Sequence, residues 1–382
     1  MTTVTGHWIE QPQTQEVCRM LTSAGYRALF VGGCVRNALL GEPVNDIDIS
    51  TDAVPERVVQ LAEAAGLKAV PTGIDHGTVT VVADHVPHEV TTFRRDVETD
   101  GRRAVVAYTD KVEQDALRRD FTMNALYARA DGSLVDPLGG LSDLQARRVL
   151  FIEDPAARIR EDFLRILRFF RFYAWYGDPQ AGIDPEGLAA CARLSRGLET
   201  LSIERITAEL LKLLSAPDPA PAVASMTQAG ILARVLPGSA PDALPMLVAL
   251  EASVGVLPDG LRRLAALGGE AASHLRLSKP DTRRLETLLR LMSDASGPAE
   301  IAYRQDADTA QDTVLLRAAL LEQALPPGFA AEIAKGSAAR FPVKSADLMP
   351  DYSGAALGAR LKRLEQDWID SDFALTRGQL LA

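Results

Sequence analysis

The chain lacks most of the patterns that assign a function on first reading. Its three cysteines, Cys18, Cys34 and Cys191, stand far apart in 382 residues with no C-x-x-C spacing, which removes a disulfide framework and the common zinc modules. They read as buried free thiols. No apolar run approaches the roughly 18 residues that a membrane-spanning helix requires. The first residues, MTTVTGHWIEQPQTQEV, show no basic-then-apolar leader pattern. These two absences point to a cytoplasmic protein with no membrane partner. Neither G-x-G-x-x-G nor G-x-x-x-x-G-K-[ST] occurs, so the dinucleotide and P-loop readings lose support. None of the five histidines is followed by aspartate, and a His-Asp phosphohydrolase site is not indicated. Basic charge is also short, with 41 Lys and Arg against 51 Asp and Glu and a net charge of −10. That balance argues against a uniformly basic nucleic-acid binder but leaves room for a local basic track.

What is present is ordinary for a folded chain: 47% hydrophobic and 24% charged residues. Single cores stop growing near about 250 to 300 residues, so 382 residues imply two or more domains. The opening part alternates strand and helix patterns. Tyr26 to Val31 reads as a strand, Gly32-Gly33 as a turn, Val35 to Leu40 as a helix, and Asp46 to Ser50 as a second strand. VPERVVQLAEAAG follows as a helix, and GTVTVV and HEVTTF read as two strands joined by ADHVP. From Asp154 onward amphipathic helices dominate. SAPDPAPA, Ser215 to Ala222, is a helix break or linker, and no internal repeat is found.

The chemistry concentrates in LFVGGCVRNALLGEPVNDIDIS, Leu29 to Ser50. Side chains alternate along a strand, so Asp46 and Asp48 share one face, roughly 6 to 7 Å apart, while Ile47 and Ile49 take the other. Two such carboxylates suit hard divalent cations and in-line phosphoryl or nucleotidyl transfer. D-x-D alone is more often a solvated strand edge; its neighbours give it meaning. Gly32 and Gly33 sit between strand and helix, where backbone N–H groups approach phosphate oxygens without a Cβ in the way. Arg36, one turn later, can add a charge-assisted contact to the same triphosphate.

In this order and spacing, GGCVRNALLG…DIDIS resembles the signature of class II CCA-adding enzymes and bacterial poly(A) polymerases, members of the polymerase-beta-like superfamily. Further motifs of that family follow in order: RRDFTMNAL (Arg118 to Leu126), DPLGGLSDL (Asp136 to Leu144), REDFLRILRFFRF (Arg160 to Phe172) and ERITAELLKLL (Glu204 to Leu214). Asn37 departs from the aspartate usual after that arginine. The resemblance implies an α+β protein: a polymerase-beta-like head of mixed sheet and helices over residues 1–150, then an all-helical neck over 151–215 and a helical body and tail over 216–382. It implies Mg²⁺ on Asp46 and Asp48, with a third carboxylate at Glu89, for which Asp96 is a rival. It implies nucleotide contacts from Gly33, Arg36, Arg119, Asp120 and Asn124, and a hinge at DPLGG. On residue type alone Asp120 would also cap a following helix.

The helix expected from Pro155 carries an apolar stripe, Ile159, Phe163, Ile166, Phe170 and Tyr173, at spacings of four, three, four and three. Asp162, Arg165 and Arg168 lie beside it at every third residue, and Arg171 extends the series. In an arbitrary helix these would be weak i, i+3 ion pairs. Beside a nucleotide site they form a base reader. Cytosine and adenine each pair an amino donor with a ring acceptor. Asp162 accepts from the first and Arg165 donates to the second, whereas uracil and guanine leave polar groups unpaired.

The activity so implied is addition of CCA to the tRNA 3′ end from CTP and ATP. The alternatives are a poly(A) polymerase using ATP alone, and a non-catalytic tRNA-binding protein that keeps the fold. Thr92 to Phe121 reads as a long polar loop, carrying Asp100, Gly101, Arg102 and Arg103, and resembles the flexible loop of complete CCA-adding enzymes. Arg283/Arg284 and Arg360/Lys362/Arg363 are possible tracks for the tRNA backbone, or solvated helix faces. No feature specifies an oligomeric state.

Overall fold

In a computed structural model, the structure describes residues 2–100, 103–349 and 351–382. The chain forms two compact units, residues 1–239 with 273–276, and residues 240–272 with 277–382.

The first unit is built on a seven-stranded sheet. Its strands are β1 (Leu29–Val31), β2 (Asp48–Thr51), β3 (Lys68–Gly73), β4 (Thr78–Ala83), β5 (Val86–Thr92), β8 (Tyr127–Arg129) and β9 (Leu134–Val135), in the order β3-β4-β5-β2-β1-β8-β9. Only β2 and β5 pair in parallel, with Asp48 opposite Glu89 and Ser50 opposite Thr91; the other pairings are antiparallel. Strict alternation explains β4 and β5: Val79, Val81 and Ala83 are buried while their neighbours are partly exposed. One apolar cluster under the sheet joins Leu29, Val31, Tyr127 and Phe93 to Val112 and Ala116 of the helix Val112–Leu117.

Residues expected to form a long polar loop instead make a separate two-stranded sheet, β6 (Arg94–Asp100) paired with β7 (Arg103–Tyr108). The charged residues of β6, Arg94, Arg95, Asp96, Glu98 and Asp100, give it the composition of a loop. Of the residues singled out there, Gly101 and Arg102 lie outside the described residues, as do the side chains of Asp100 and Arg103.

After β9 the chain is helical. The single helix expected from Pro155 is two, Pro155–Glu161 and Leu164–Tyr176, because Asp162 between them is extended at φ −153°, ψ 108°. The apolar spacing runs in phase across the break, which is why it reads as one helix. Phe121 packs against Phe151, Phe169 and Phe172 at centroid distances of 4.9, 6.2 and 5.0 Å. The segment before Asn124 and the second of these helices thus share one aromatic core. SAPDPAPA does break the helices, between Leu214 and Ala220, but the boundary between the compact units falls at Ser239.

The second unit is entirely helical among the described residues. Its interior holds a paired charge network rather than a purely apolar core. Arg262 donates to Glu251 and Asp312, each at 2.7 Å, and Arg263 donates to the other oxygen of Glu251. Arg284, expected as a possible tRNA contact, closes the network on Asp259 and Asp312; Lys362 and Arg363 remain exposed. No helix among the described residues is long and apolar enough to cross a membrane.

DPLGG closes tightly on the sheet unit. Asp136 accepts from the backbone N–H groups of Gly140 and Leu141 at 2.8 and 3.0 Å, starting the helix Gly140–Gln145. A Cβ on Gly140 would lie 2.3 Å from the Thr122 carbonyl oxygen, so glycine is needed here for close approach. Gly140→Ala should therefore destabilise the first unit by about 1–3 kcal/mol. Denaturant unfolding checks this, and Gly139→Asn, which keeps the left-handed turn at φ 73° available, should cost much less.

Candidate active site

The Gly32-Gly33 turn forms as its residue types dictate. Gly32 has φ 70°, where a side chain would be strained, and the helix Gly33–Leu40 begins with no side-chain cap. Its first N–H groups are left as donors at the end of β1. A Cβ on Gly32 would sit 3.5 Å from Nη1 of Arg119, so this arginine lies directly against the turn.

Across the sheet, Asp48 opens β2, with Glu89 beside it on β5. Asp46 is exposed and precedes the strand rather than lying within it. Burial raises the Asp48 carboxyl to about 6, the charges of Glu89 and Asp46 push the same way, and Arg119 opposes them. Asp48 thus lies under the influence of two carboxylates and one arginine. Asp96 belongs to the separate β6–β7 sheet, opposite Val106, so the neighbour of Asp48 is Glu89. Among the described residues no three His, Cys, Asp or Glu side chains converge as a closed metal centre. The donor set nevertheless fits a hard cation: oxygen ligands only, mutually repelling, with one carboxyl held above its ordinary range by that repulsion and by burial.

Arg119 is held from below by Asp115, a fully buried carboxylate that the sequence reading passed over. Asp115 takes ion pairs from Arg118 at 2.7 Å and Arg119 at 3.1 Å and a hydrogen bond from the Tyr127 hydroxyl at 2.7 Å. Burial alone would raise it, but Arg119, Arg118 and Tyr127 bring it down to about 2. The signal was available, since Asp115 stands three and four residues before the two arginines on one helical turn.

Asp120 does not cap a helix. Only a 3₁₀ turn, Thr122–Asn124, follows it, with Phe121 at the cap position. One carboxylate oxygen accepts from Phe121 N and Asn124 Nδ2, both at 2.9 Å, and the other from Arg168 Nε at 2.7 Å and from Arg168 Nη2. Against the opposing effect of burial, Arg168 and Asn124 hold it near 2.

Arg36 is engaged mainly by protein partners. Four of its five N–H groups are occupied: it donates to Asn37 Oδ1 at 3.2 and 3.0 Å, to the Tyr176 hydroxyl at 2.8 Å, and to Asn124 Oδ1. Its guanidinium lies 4.1 Å from the Tyr176 ring centroid, and burial lowers its pKa. It ties the glycine-turn helix to the neck while its Nη2 stays 4.0 Å from where a Cβ on Gly33 would lie, so Arg36 and Arg119 both border the turn. Asn37, the departure from the family pattern, uses its amide to donate to Pro43 O at 2.8 Å, which an aspartate could not do.

Of the residues expected to read the base, Asp162 lies at the helix break and Arg165, Arg168 and Arg171 on the second helix. Asp162 accepts from Leu164 N at 3.0 Å and pairs with Arg205 at 2.6 Å. Arg165 donates to the carbonyls of Arg158 and Arg118 at 2.9 and 3.1 Å and to Glu161. A carboxylate has about four acceptor positions and a guanidinium five donors, so each keeps capacity for a ligand. Arg171 forms an ion pair with Glu209 at 2.7 Å. Arg205 and Tyr176 were missed because their partners lie far away in sequence.

A glycine turn, a carboxylate strand and an arginine between them, on a mixed sheet followed by helices, define a nucleotidyltransferase. Residues 28–150 match the family described as Poly A polymerase head domain, and residues 182–242 match the one described as Probable RNA and SrmB- binding site of polymerase A. The human protein named CCA tRNA nucleotidyltransferase 1, mitochondrial, is 30% identical over 389 residues, 96% of this chain and 88% of that protein. The CCA-adding enzyme of Geobacillus thermodenitrificans is 39% identical over 230 residues, 60% of this chain and 55% of that one. The crystal structure of the Bacillus stearothermophilus CCA-adding enzyme in complex with CTP superposes with a TM-score of 0.77 at 28% identity, covering 95% and 94% of the two chains. The chain belongs to the CCA tRNA nucleotidyltransferase family.

Asp115 and Asp120 set an acid limit on the fold. Both titrate near 2 in the folded protein against an ordinary value of 3.8. Their contribution is therefore present above about pH 4 and lost as pH falls through about 2. Each should be worth on the order of 2 kcal/mol. Unfolding free energies measured from pH 5 to 2 should fall steeply in the wild type, and less steeply in Asp120→Asn, which starts lower at neutral pH because the part-buried Arg168 loses its ion-pair partner.

Proposed function

We propose that this protein adds the terminal CCA to tRNA, transferring CMP and then AMP from CTP and ATP to the RNA 3′-hydroxyl with release of pyrophosphate. The observation that carries the reading is the Arg119–Asp120 peptide, whose two side chains join the carboxylate strand to the neck. Arg119 faces the glycine turn and Asp48, while Asp120 pins Arg168. The full-length similarity to CCA tRNA nucleotidyltransferases favours tRNA over a general RNA end.

In this reading Asp46 and Asp48 hold Mg²⁺, with Glu89 orienting the site. Bound there, the metal would lower the pKa of the attacking hydroxyl and stabilise charge on the leaving group. The free N–H groups after Gly32 and the Arg119 guanidinium hold the triphosphate, and Asn124 and Arg168 shape the pocket for ribose and base. Asp162 accepts from the amino group of cytosine or adenine and Arg165 donates to the adjacent ring acceptor. Residues 1–150 supply the chemistry, 151–215 the base selection, and 216–382 the hold on tRNA.

The test is incorporation of each labelled nucleotide into tRNA lacking its 3′ CCA. The wild type should add C, C and A and stop. Asp46→Ala or Asp48→Ala should lose incorporation by a factor of 10³ or more while still binding tRNA. Asp162→Ala should lose discrimination against U and G as well as rate. Long A tails on unrelated RNA would overturn the assignment, and unchanged nucleotide ratios in Asp162→Ala would move the base reader elsewhere.

A further inference from the structure

Between the turn that precedes Asp46 and the end of the helix Leu164–Tyr176 lies a cleft of about 320 Å³ that the reading above leaves unused. Asn45, the residue before Asp46, is on its wall, with Glu42 beside it. The opposite wall carries Arg171, Trp175 and Lys212. Trp175 is 40% exposed although its one polar atom is satisfied, Nε1 donating to Lys212 O at 2.8 Å. That bond fixes the indole at the cleft. The neighbouring Tyr176 ring is already occupied by Arg36 at 4.1 Å, which leaves Trp175 as the aromatic surface open to a ligand.

An anchored indole with two cations beside it is the combination that binds unpaired nucleic acid: bases stack on the ring while the cations meet the backbone. The incoming nucleotide does not fit here. Its reader, Asp162, lies beyond the other end of the helix, and the eleven helical steps from Leu164 to Trp175 span about 16 Å. Glu42 would also repel a triphosphate more than it would a single phosphodiester.

We propose that this cleft receives an unpaired nucleotide of the RNA strand being extended, its base stacked on Trp175 and its phosphate near Lys212 and Arg171. The proposal rests on the reading that an RNA 3′ end is the acceptor. With Asn45 directly before Asp46, a nucleotide seated here holds the growing end beside the carboxylate strand.

The test compares the two substrates' KM values in Trp175→Ala, Trp175→Phe and Lys212→Gln. Trp175→Ala should raise KM for tRNA lacking CCA by roughly 5- to 150-fold, the range seen when a stacking aromatic is removed. KM for CTP and ATP should stay within about twofold. Trp175→Phe, which keeps a stacking ring but not the bond to Lys212, should recover most of the loss, and Lys212→Gln should weaken the salt dependence of tRNA binding. Tryptophan fluorescence of the wild type should be quenched by the same tRNA without nucleotide, and Trp175→Phe should lose that quenching. The fluorescence measurement decides the matter even if Trp175→Ala does not fold. Active enzyme with unchanged tRNA KM and no Trp175 quenching would overturn the subsite alone, as would an equal rise in KM for CTP. A wild type that extends no tRNA, yet whose Trp175 is quenched by it, would overturn the function and leave the RNA site standing.

Discussion

The site depends on one buried carboxylate. Asp120 accepts from Phe121 N, Asn124 Nδ2 and two nitrogens of Arg168, so both oxygens are occupied from two directions. Phe121 is locked into the aromatic cluster with Phe169 and Phe172, and Arg168 stands on the same helix as those rings. An aromatic cluster alone would resist separation but tolerate sliding. A charge-assisted pair does not, because Nε and Nη2 of Arg168 converge on one Asp120 oxygen while Phe121 N and Asn124 Nδ2 hold the other. Apolar contact thus supplies adhesion and the ion pair supplies register. Beyond the stability that Asp120 contributes, the pair places Arg119, the residue before Asp120, against the glycine turn.

Asp115 repeats the device one turn earlier, and together the two aspartates explain how a chain of net charge −10 presents an arginine to phosphates. Arg118 and Arg119 are both fixed by Asp115, and Arg168 by Asp120. The excess negative charge gathers elsewhere, at Asp46, Asp48 and Glu89, where burial and the two neighbouring carboxylates raise Asp48 against the pull of Arg119. Positive charge is buried and directed; negative charge is concentrated and left wanting a counter-ion.

Much of this was legible in the sequence, for local reasons. The glycine turn, the strands β4 and β5 and the D-x-D segment depend on neighbours a few residues away, and period-2 alternation or a positive φ marks them. Helix starts such as Asp154 and Asp184 before proline, each of which caps its own helix, are similarly local. Three features were not legible. The β6–β7 sheet has a composition that reads as solvent-exposed loop. The break at Asp162 is invisible to periodicity because the apolar phase continues through it. Arg36 and Asp162 find their partners in Tyr176 and Arg205, across 140 and 43 residues, and no pattern in a single sequence specifies a contact at that range. Family resemblance located the residues; it did not say which of them touch ligand and which touch each other.

The parallel pairing of β2 with β5 has a consequence for how the protein is made. Asp48 meets Glu89 only after the chain has gone out through β3 and β4 and come back, and the other flank of β1 is filled by β8. A nascent chain ending before residue 127 therefore has its acidic residues but not Arg119's completed seat against Tyr127. Contacts of this separation form late, because loop closure must precede them. During synthesis the carboxylates are brought together before the sheet that confines them is finished. Divalent cation in the surrounding solution, by relieving their repulsion, would act on the last stage of folding as well as on the finished enzyme.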